Sequence, residues 1–303
     1  MITLVTRFEA YLLTEKRVTP NTFSAYKRDI EQCLQILAIS TDQALLAVDQ
    51  QAIRSYLLHL KQIRIGARSV VRKLSALRLF FTYLGKLNGI ANPIDGITLP
   101  KIKNKLPSFI GQDEVAALLQ AADSDTSRLG LRNRVMLYLM YVTGMRVSEL
   151  IKLQIDDLMF ESGFVLVRGK GGKQRHIPLP ASMAALLKEY LQTAHPNVIN
   201  GKKQLPISPY LFPIMYAGLC KPLSRQTFWG ILKDIWARTG IDRPLSPHSL
   251  RHSLATHLLK EGADLRSLQL ILGHENLTTV QVYTHVETTH LREVYNKKHP
   301  RSA

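Results

Sequence analysis

Two arginines, a pair of hairpin lysines, two histidines and a late tyrosine are the residues of this chain best suited to chemistry. Arg146 follows a Thr-Gly break in TGMRVSEL, and Glu149 stands three positions on, where a carboxylate can orient or balance a guanidinium. Lys170 and Lys173 lie in RGKGGKQRHIPLP among Gly169, Gly171 and Gly172, which permit a tight turn. In LSPHSLRHSLATHLL, His248 and Arg251 are one helical turn apart. His274 comes directly after Gly273 in LGHENLTTVQVYTHV, and Tyr283 closes the set. Val280, Val282 and Val286 would suit Tyr283 to a packing role as well.

What excludes the commoner chemistries is spacing. The glycine-rich stretch lacks the GxxxxGK[ST] pattern and the following helix of a nucleotide-binding loop. His248 and His252 are four apart, but no glutamate sits between them in HExxH fashion and no third ligand is evident. No paired Asp/Glu cluster suits Mg²⁺, so neither a metal nor another cofactor is expected. The set instead fits a metal-free attack on a phosphodiester. Cationic donors stabilise charge on the non-bridging oxygens, an acid protonates the leaving oxygen, and a nucleophile attacks in line. Tyrosine makes that attack reversible, because phenolate is a much better leaving group than an alkoxide.

The bulk composition points to the same substrate class. The chain has 303 residues with 40 Lys and Arg against 23 Asp and Glu, a net charge of +17. That excess favours a polyanionic partner through counterion release. It is shared between the two halves: residues 1–110 carry 16 basic and 7 acidic side chains, and residues 111–303 carry 24 and 16. Cys33 and Cys220 stand alone, without zinc-ligand spacing, which suits a reducing compartment. The N-terminal stretch lacks a signal peptide's apolar core, and VMLYLMYV at 135–142 is too short for a bilayer. A cytoplasmic protein with no membrane partner is the expectation.

The elements that must position these residues are mainly α, with a small β-hairpin. Helices are predicted near residues 4–12, from a cap at Thr19 or Asn21 with Pro20 in the opening turn, and over 49–62 and 67–85. The last of these carries Arg68, Arg72 and Lys73, candidate phosphate contacts together with Lys173 and Arg175 of the hairpin. Residues 91–110 read as a basic linker rich in Pro and Lys, separating a helical domain at 1–90 from a mixed domain at 111–303. In the second domain, helices are predicted at 112–122, 129–143, 146–153, 181–193, 225–239, 248–261, 264–272 and 278–284. Strands are predicted at 164–168 and 174–179.

In this order, TGMRVSEL, RGKGGKQRHIPLP, SPHSLRHSLATHLL and LGHENLTTVQVYTHV resemble the tyrosine recombinase, or phage integrase, family, and within it the bacterial Xer recombinases. The resemblance covers essentially the whole chain. It implies a SAM-like helical N-terminal domain and a mixed α/β catalytic domain, closing as a clamp on duplex DNA. It implies that Tyr283 attacks the scissile phosphate to give a 3′-phosphotyrosyl link and a free 5′-hydroxyl. Arg146 and Arg251 would hold the non-bridging oxygens, with a hydrogen bond from His274. Lys170 would be the general acid, His248 would assist in positioning or proton transfer, and Glu149 would support the site. The partners implied are double-stranded DNA bearing a dif-like site, a XerC-like sister recombinase in a heterotetramer, and the translocase FtsK. Their task would be resolution of chromosome and plasmid dimers at cell division. Residues 287–303 would dock into a neighbouring subunit. A XerC-type enzyme or a mobile-element integrase would carry the same motifs and differ in site and partners.

Overall fold

The computed structural model describes residues 2–99, 109–169, 172–196, 208–217 and 219–273. The chain divides into two compact units, 1–105 and 106–303.

The first unit is helical. Its helices are α1 (Thr3–Thr14), α2 (Pro20–Ile36), α3 (Asp42–Leu46), α4 (Gln50–Gln62) and α5 (Ala67–Asn88). Local chemistry sets their starts: Thr19 accepts a hydrogen bond from the Thr22 amide with Pro20 in the first turn, and Asp49 accepts from the Ala52 amide at 2.8 Å. Gly89 ends α5 with φ of +71°, the left-handed conformation glycine adopts without steric cost. The core is aromatic and aliphatic: Phe8, Leu12, Ile30, Ile53, Tyr56, Leu77, Phe80 and Leu84 are all buried. Charge is built into it too. Lys73, 7% exposed, donates to Asp29 at 2.9 Å, and Asp29 also pairs with Arg72, tying α5 to α2. Lys73 is therefore spent on an internal carboxylate and does not stand free for phosphate, as its residue type suggested. Its position explains this, since Lys73, Leu77, Phe80 and Leu84 share one buried helical stripe. Arg68 stays exposed.

The second unit is mixed. Helices α6 (Gln112–Asp123) and α7 (Arg128–Thr143) lead to the short α8 (Val147–Leu150). Strands β1 (Leu158–Met159), β2 (Phe164–Arg168) and β3 (Gln174–Pro178) form an antiparallel sheet in that order. Then come α9 (Ala181–Thr193), the hairpin β4 (Pro213–Tyr216) and β5 (Leu219–Pro222), α10 (Arg225–Arg238), α11 (Pro247–Lys260) and α12 (Leu265–Leu272). Helix α7 is central, buried at Val135, Met136, Leu137 and from Leu139 to Thr143. Leu250, Leu254 and Leu258 of α11 join the same core.

Three differences from the sequence reading have physical causes. Helix α8 stops at Leu150, short of 153, because the chain turns to bridge another segment: the Leu153 carbonyl accepts from the Leu211 amide at 2.8 Å, and the Ile155 amide donates to Pro209. The two-residue β1 is too short to show a period. The β4–β5 hairpin, with Tyr216 and Leu219 exposed, lacks the apolar alternation that marks a half-buried strand. The helix expected at 278–284 lies outside the described residues. No described helix is long and apolar enough to cross a membrane.

Candidate active site

Gly144 ends α7 with φ of +59°, and its amide donates to the Met140 carbonyl. Two residues later Arg146 opens α8 as its N-cap, and Glu149 closes a capping box by accepting the Arg146 amide at 2.7 Å. The same carboxylate accepts from the Arg146 side chain, Nη1 to Oε1, at 2.9 Å. The Thr-Gly break thus ends one helix and starts the next so that Arg146 and Glu149 face each other. Arg146 keeps 43% of its side chain exposed, whereas Glu149 is buried.

Arg251 comes from α11. Ser246 caps that helix by accepting the Ser249 amide, and Pro247 fits its first turn. One turn in, Arg251 is only 5% exposed and donates to two carbonyls, Gly144 at the end of α7 and Leu272 at the end of α12. Arg146 reaches the same place, donating from Nη2 to the Gly273 carbonyl at 3.2 Å. Gly273 has φ of +64°, so the chain leaves α12 here in the left-handed conformation that glycine adopts without steric cost.

A third guanidinium completes the cluster. Arg175 of β3 donates from Nε to the Ile271 carbonyl at 2.9 Å, and from Nη1 and Nη2 to the two oxygens of Glu149 at 3.1 and 2.8 Å. At 6% exposure it is no surface phosphate contact, which corrects the reading of its residue type. The sheet register accounts for it. Arg175 lies opposite Val167 and two residues from Ile177, so strand alternation sends all three to the buried face. The QRHIP alternation carried that signal. Lys173, by contrast, is exposed beside the turn, and its carbonyl accepts from the Gly169 amide at 2.7 Å.

Three guanidiniums and one carboxylate share this site, an excess of two positive charges. Arg251 registers the crowding: burial first, then repulsion from Arg146 and Arg175, pushes its pKa down to about 10, with Glu149 opposing. Burial alone would raise the Glu149 carboxyl. Hydrogen bonds and charge from Arg175, then hydrogen bonds from Arg146, outweigh it and hold the carboxyl below its ordinary value. A concentrated positive site with one partly exposed arginine is suited to binding an anion with bidentate donors. Of the other residues singled out, His248 is exposed on the first turn of α11. Lys170, His274 and Tyr283 lie outside the described residues. Gly169 and Gly273, which precede Lys170 and His274, do lie in the site. A Cβ placed on Gly169 would stand 3.7 Å from Glu149 Oε1, and Gly273 is held by Arg146.

Comparison with family models matches residues 108–290 to the phage integrase family and residues 5–86 to the phage integrase N-terminal SAM-like domain. The chain belongs to the phage integrase family. As a tyrosine recombinase of this family, it is an enzyme of DNA strand breakage and rejoining. It is 40% identical to tyrosine recombinase XerD of Listeria innocua over 305 residues, covering 99% of each chain. It is 38% identical to tyrosine recombinase XerD of Staphylococcus aureus over 303 residues, covering each in full. Among solved structures it is similar to XerH site-specific recombinase bound to a palindromic difH substrate in a post-cleavage complex. The TM-score is 0.67 at 25% identity, covering 96% of this chain and 84% of that one. It shares its fold with a lambda integrase tetramer bound to a Holliday junction, with a TM-score of 0.66 at 20% identity over 93% and 80% of the two chains. In this integrase-family enzyme, the arginine cluster gathers α7, α8, β3, α11 and α12 around one buried carboxylate.

Proposed function

We propose that the enzyme is a Xer-type recombinase of the XerD kind, acting in the cytoplasm to resolve chromosome and plasmid dimers at cell division. Its substrate is duplex DNA with a dif-like site, on which it pairs with a XerC-like sister in a heterotetramer activated by the FtsK translocase. Residues 1–90 form the helical DNA-binding domain, 91–110 the linker and 111–303 the catalytic domain, whose segment 287–303 docks into a neighbouring subunit. Near full-length similarity to XerD enzymes of two genera supports the subtype.

The observation that carries the mechanism is the convergence of Arg146 and Arg251 on the end of α12, directly before His274. In this reading the two guanidiniums bind non-bridging oxygens of one phosphate, Arg251 by exchanging its carbonyl contacts to Gly144 and Leu272 for the incoming oxygens. His274, next in the chain, adds a hydrogen bond to the same oxygens. The Tyr283 phenolic oxygen attacks phosphorus in line, forming the P–O(Tyr) bond as the P–O5′ bond breaks. Lys170 gives its proton to the departing 5′-oxygen, and His248 takes the proton that the Tyr283 hydroxyl releases. Attack by a 5′-hydroxyl of the partner strand reverses each change and releases Tyr283. The bond energy is kept in the phosphotyrosyl ester throughout. The fixed donors act where charge accumulates in the transition state.

Nicked suicide duplexes tiled across the replication-terminus region, with and without a XerC-like partner, test this. A covalent protein–DNA adduct is expected at one site, and is absent in Tyr283→Phe, which still binds. Clear binding by the wild type without any adduct would sink the reading.

A further inference from the structure

We propose that Arg175 is a positioning residue for DNA cleavage: it fixes Glu149, and through it Arg146, against the end of α12. The proposal rests on the reading of Arg146 and Arg251 as the phosphate clamp, and deepens it.

A guanidinium in the core-facing slot of a strand carries a large desolvation cost, so its partners must be well placed. Arg175 has three, and they belong to two other elements. Its Nη1 and Nη2 meet both oxygens of Glu149 in a two-pronged pairing, and Nε meets the carbonyl of Ile271. Glu149 is the group that receives both the Arg146 amide and its side chain. One side chain therefore joins β3, α8 and the last turn of α12. Gly273 is fitted to it, since a Cβ there would come within 3.2 Å of the Arg175 side chain. No lysine can reproduce this, because an ammonium is a point donor without a planar fork.

Charge adds a second effect. Glu149 alone with Arg146 would form a one-to-one pair, and the carboxylate would offset the cation that phosphate needs. With Arg175 sharing Glu149, the cluster keeps its excess of two positive charges. The donors engaged by Glu149 and Ile271 point away from solvent, so Arg175 acts on Arg146 and the α12 terminus and not on the phosphate itself.

The test uses the nicked duplex that the wild type cleaves, with either a phosphate or an uncharged methylphosphonate at the scissile position. Arg175→Met, Arg175→Lys and the double variant Arg175→Met/Glu149→Gln are compared in the full-length protein. DNA affinity, thermal melting and single-turnover cleavage at saturating DNA are measured. Arg175→Met is expected to bind DNA as the wild type does and to cleave the phosphate substrate about 100-fold more slowly, the scale of a misplaced catalytic group. Its loss on the methylphosphonate is much smaller, because that substrate offers less charge for Arg146 to meet. The double variant, which keeps the net charge of the cluster, cleaves faster than Arg175→Met. If Arg175→Met does not fold, Arg175→Lys carries the test, since it keeps the charge and lacks only the fork. Equal losses on the two substrates, or a cleavage rate unchanged in the folded variants, overturn the proposal and leave the clamp reading standing. A wild type that forms no adduct overturns the clamp reading, and this proposal falls with it.

Discussion

Arg146 donates to the carbonyl of Gly273 at 3.2 Å, joining residues 127 positions apart. Gly273 is the last residue of the α12 turn, and its carbonyl, with those of Ile271 and Leu272, belongs to the negative end of that helix. Three buried or half-buried guanidiniums on one helix C-terminus are mutually repulsive, yet each satisfies a carbonyl that the helix leaves unpaired. In the DNA-free protein, helix carbonyls occupy part of the hydrogen-bonding capacity that a phosphate would take. The same contacts hold the chain at the point where it leaves for His274.

Gly273→Ala and Gly240→Ala separate backbone strain from site geometry. Both glycines have left-handed φ, +64° and +70°, so alanine costs about 1–2 kcal/mol at either position. A Cβ at 240 meets nothing within 4 Å, whereas one at 273 reaches the Arg175 guanidinium at 3.2 Å. Similar losses in melting temperature are expected from the two substitutions, with a large fall in cleavage rate only for Gly273→Ala. Equal cleavage by both variants would show that the fit of Gly273 to Arg175 does not matter.

Arg251→Lys keeps a cation but cannot donate through a planar fork to Gly144 and Leu272 at once. Losing one fixed charge-stabilising donor costs about 10²–10³ in rate. DNA affinity is expected to change little, because many other phosphate contacts contribute to it. Single-turnover cleavage against equilibrium binding measures the split.

Glu149 gives the site an acid limit. Its folded pKa lies below the ordinary 4.5, so the unfolded chain binds the proton more readily. The stabilisation is complete above about pH 4.5 and is lost as pH falls through the lowered folded value. Glu149→Gln should therefore flatten the acid limb of the stability curve and lower stability at neutral pH, where Arg175 and Arg146 both meet a neutral amide in place of the carboxylate. Circular dichroism melts across pH 3 to 7 would detect this; an unchanged acid limb would mean that other carboxylates govern it.

Local rules made much of the fold legible. The opening of α2 around Pro20 and the Thr-Gly break at Gly144 each depend on residues within one turn. Arg146 and Glu149 were legible as a pair for the same reason. Lys73 and Arg175 were not, since their carboxylates stand 44 and 26 residues away, at Asp29 and Glu149. A basic side chain in a basic protein suggests solvent or phosphate, and only its place on a buried stripe or strand face suggests otherwise. The three carbonyls at the end of α12 had no signal at all, because any residue supplies a carbonyl.

Helix α5 offers the sharpest contrast between two cations five residues apart. Arg68 is exposed, and Lys73 is buried on Asp29. If Arg68 meets a phosphate, Arg68→Ala reduces the slope of log affinity against log salt by about one unit, without lowering stability. Lys73→Met leaves that slope unchanged, because its charge is already committed within the fold. Asp29→Ala is the damaging change at this cluster: it leaves a buried ammonium with the neutral Gln32 side chain and no counter-charge, and is expected to cost about 3–5 kcal/mol. Lys73→Met should cost less, since Asp29 retains Arg72 as a partner. Salt-titrated DNA binding and denaturant melts on the three variants decide the matter. A slope reduced in Lys73→Met would return that lysine to the DNA-contacting surface, and an unchanged slope in Arg68→Ala would remove Arg68 from it.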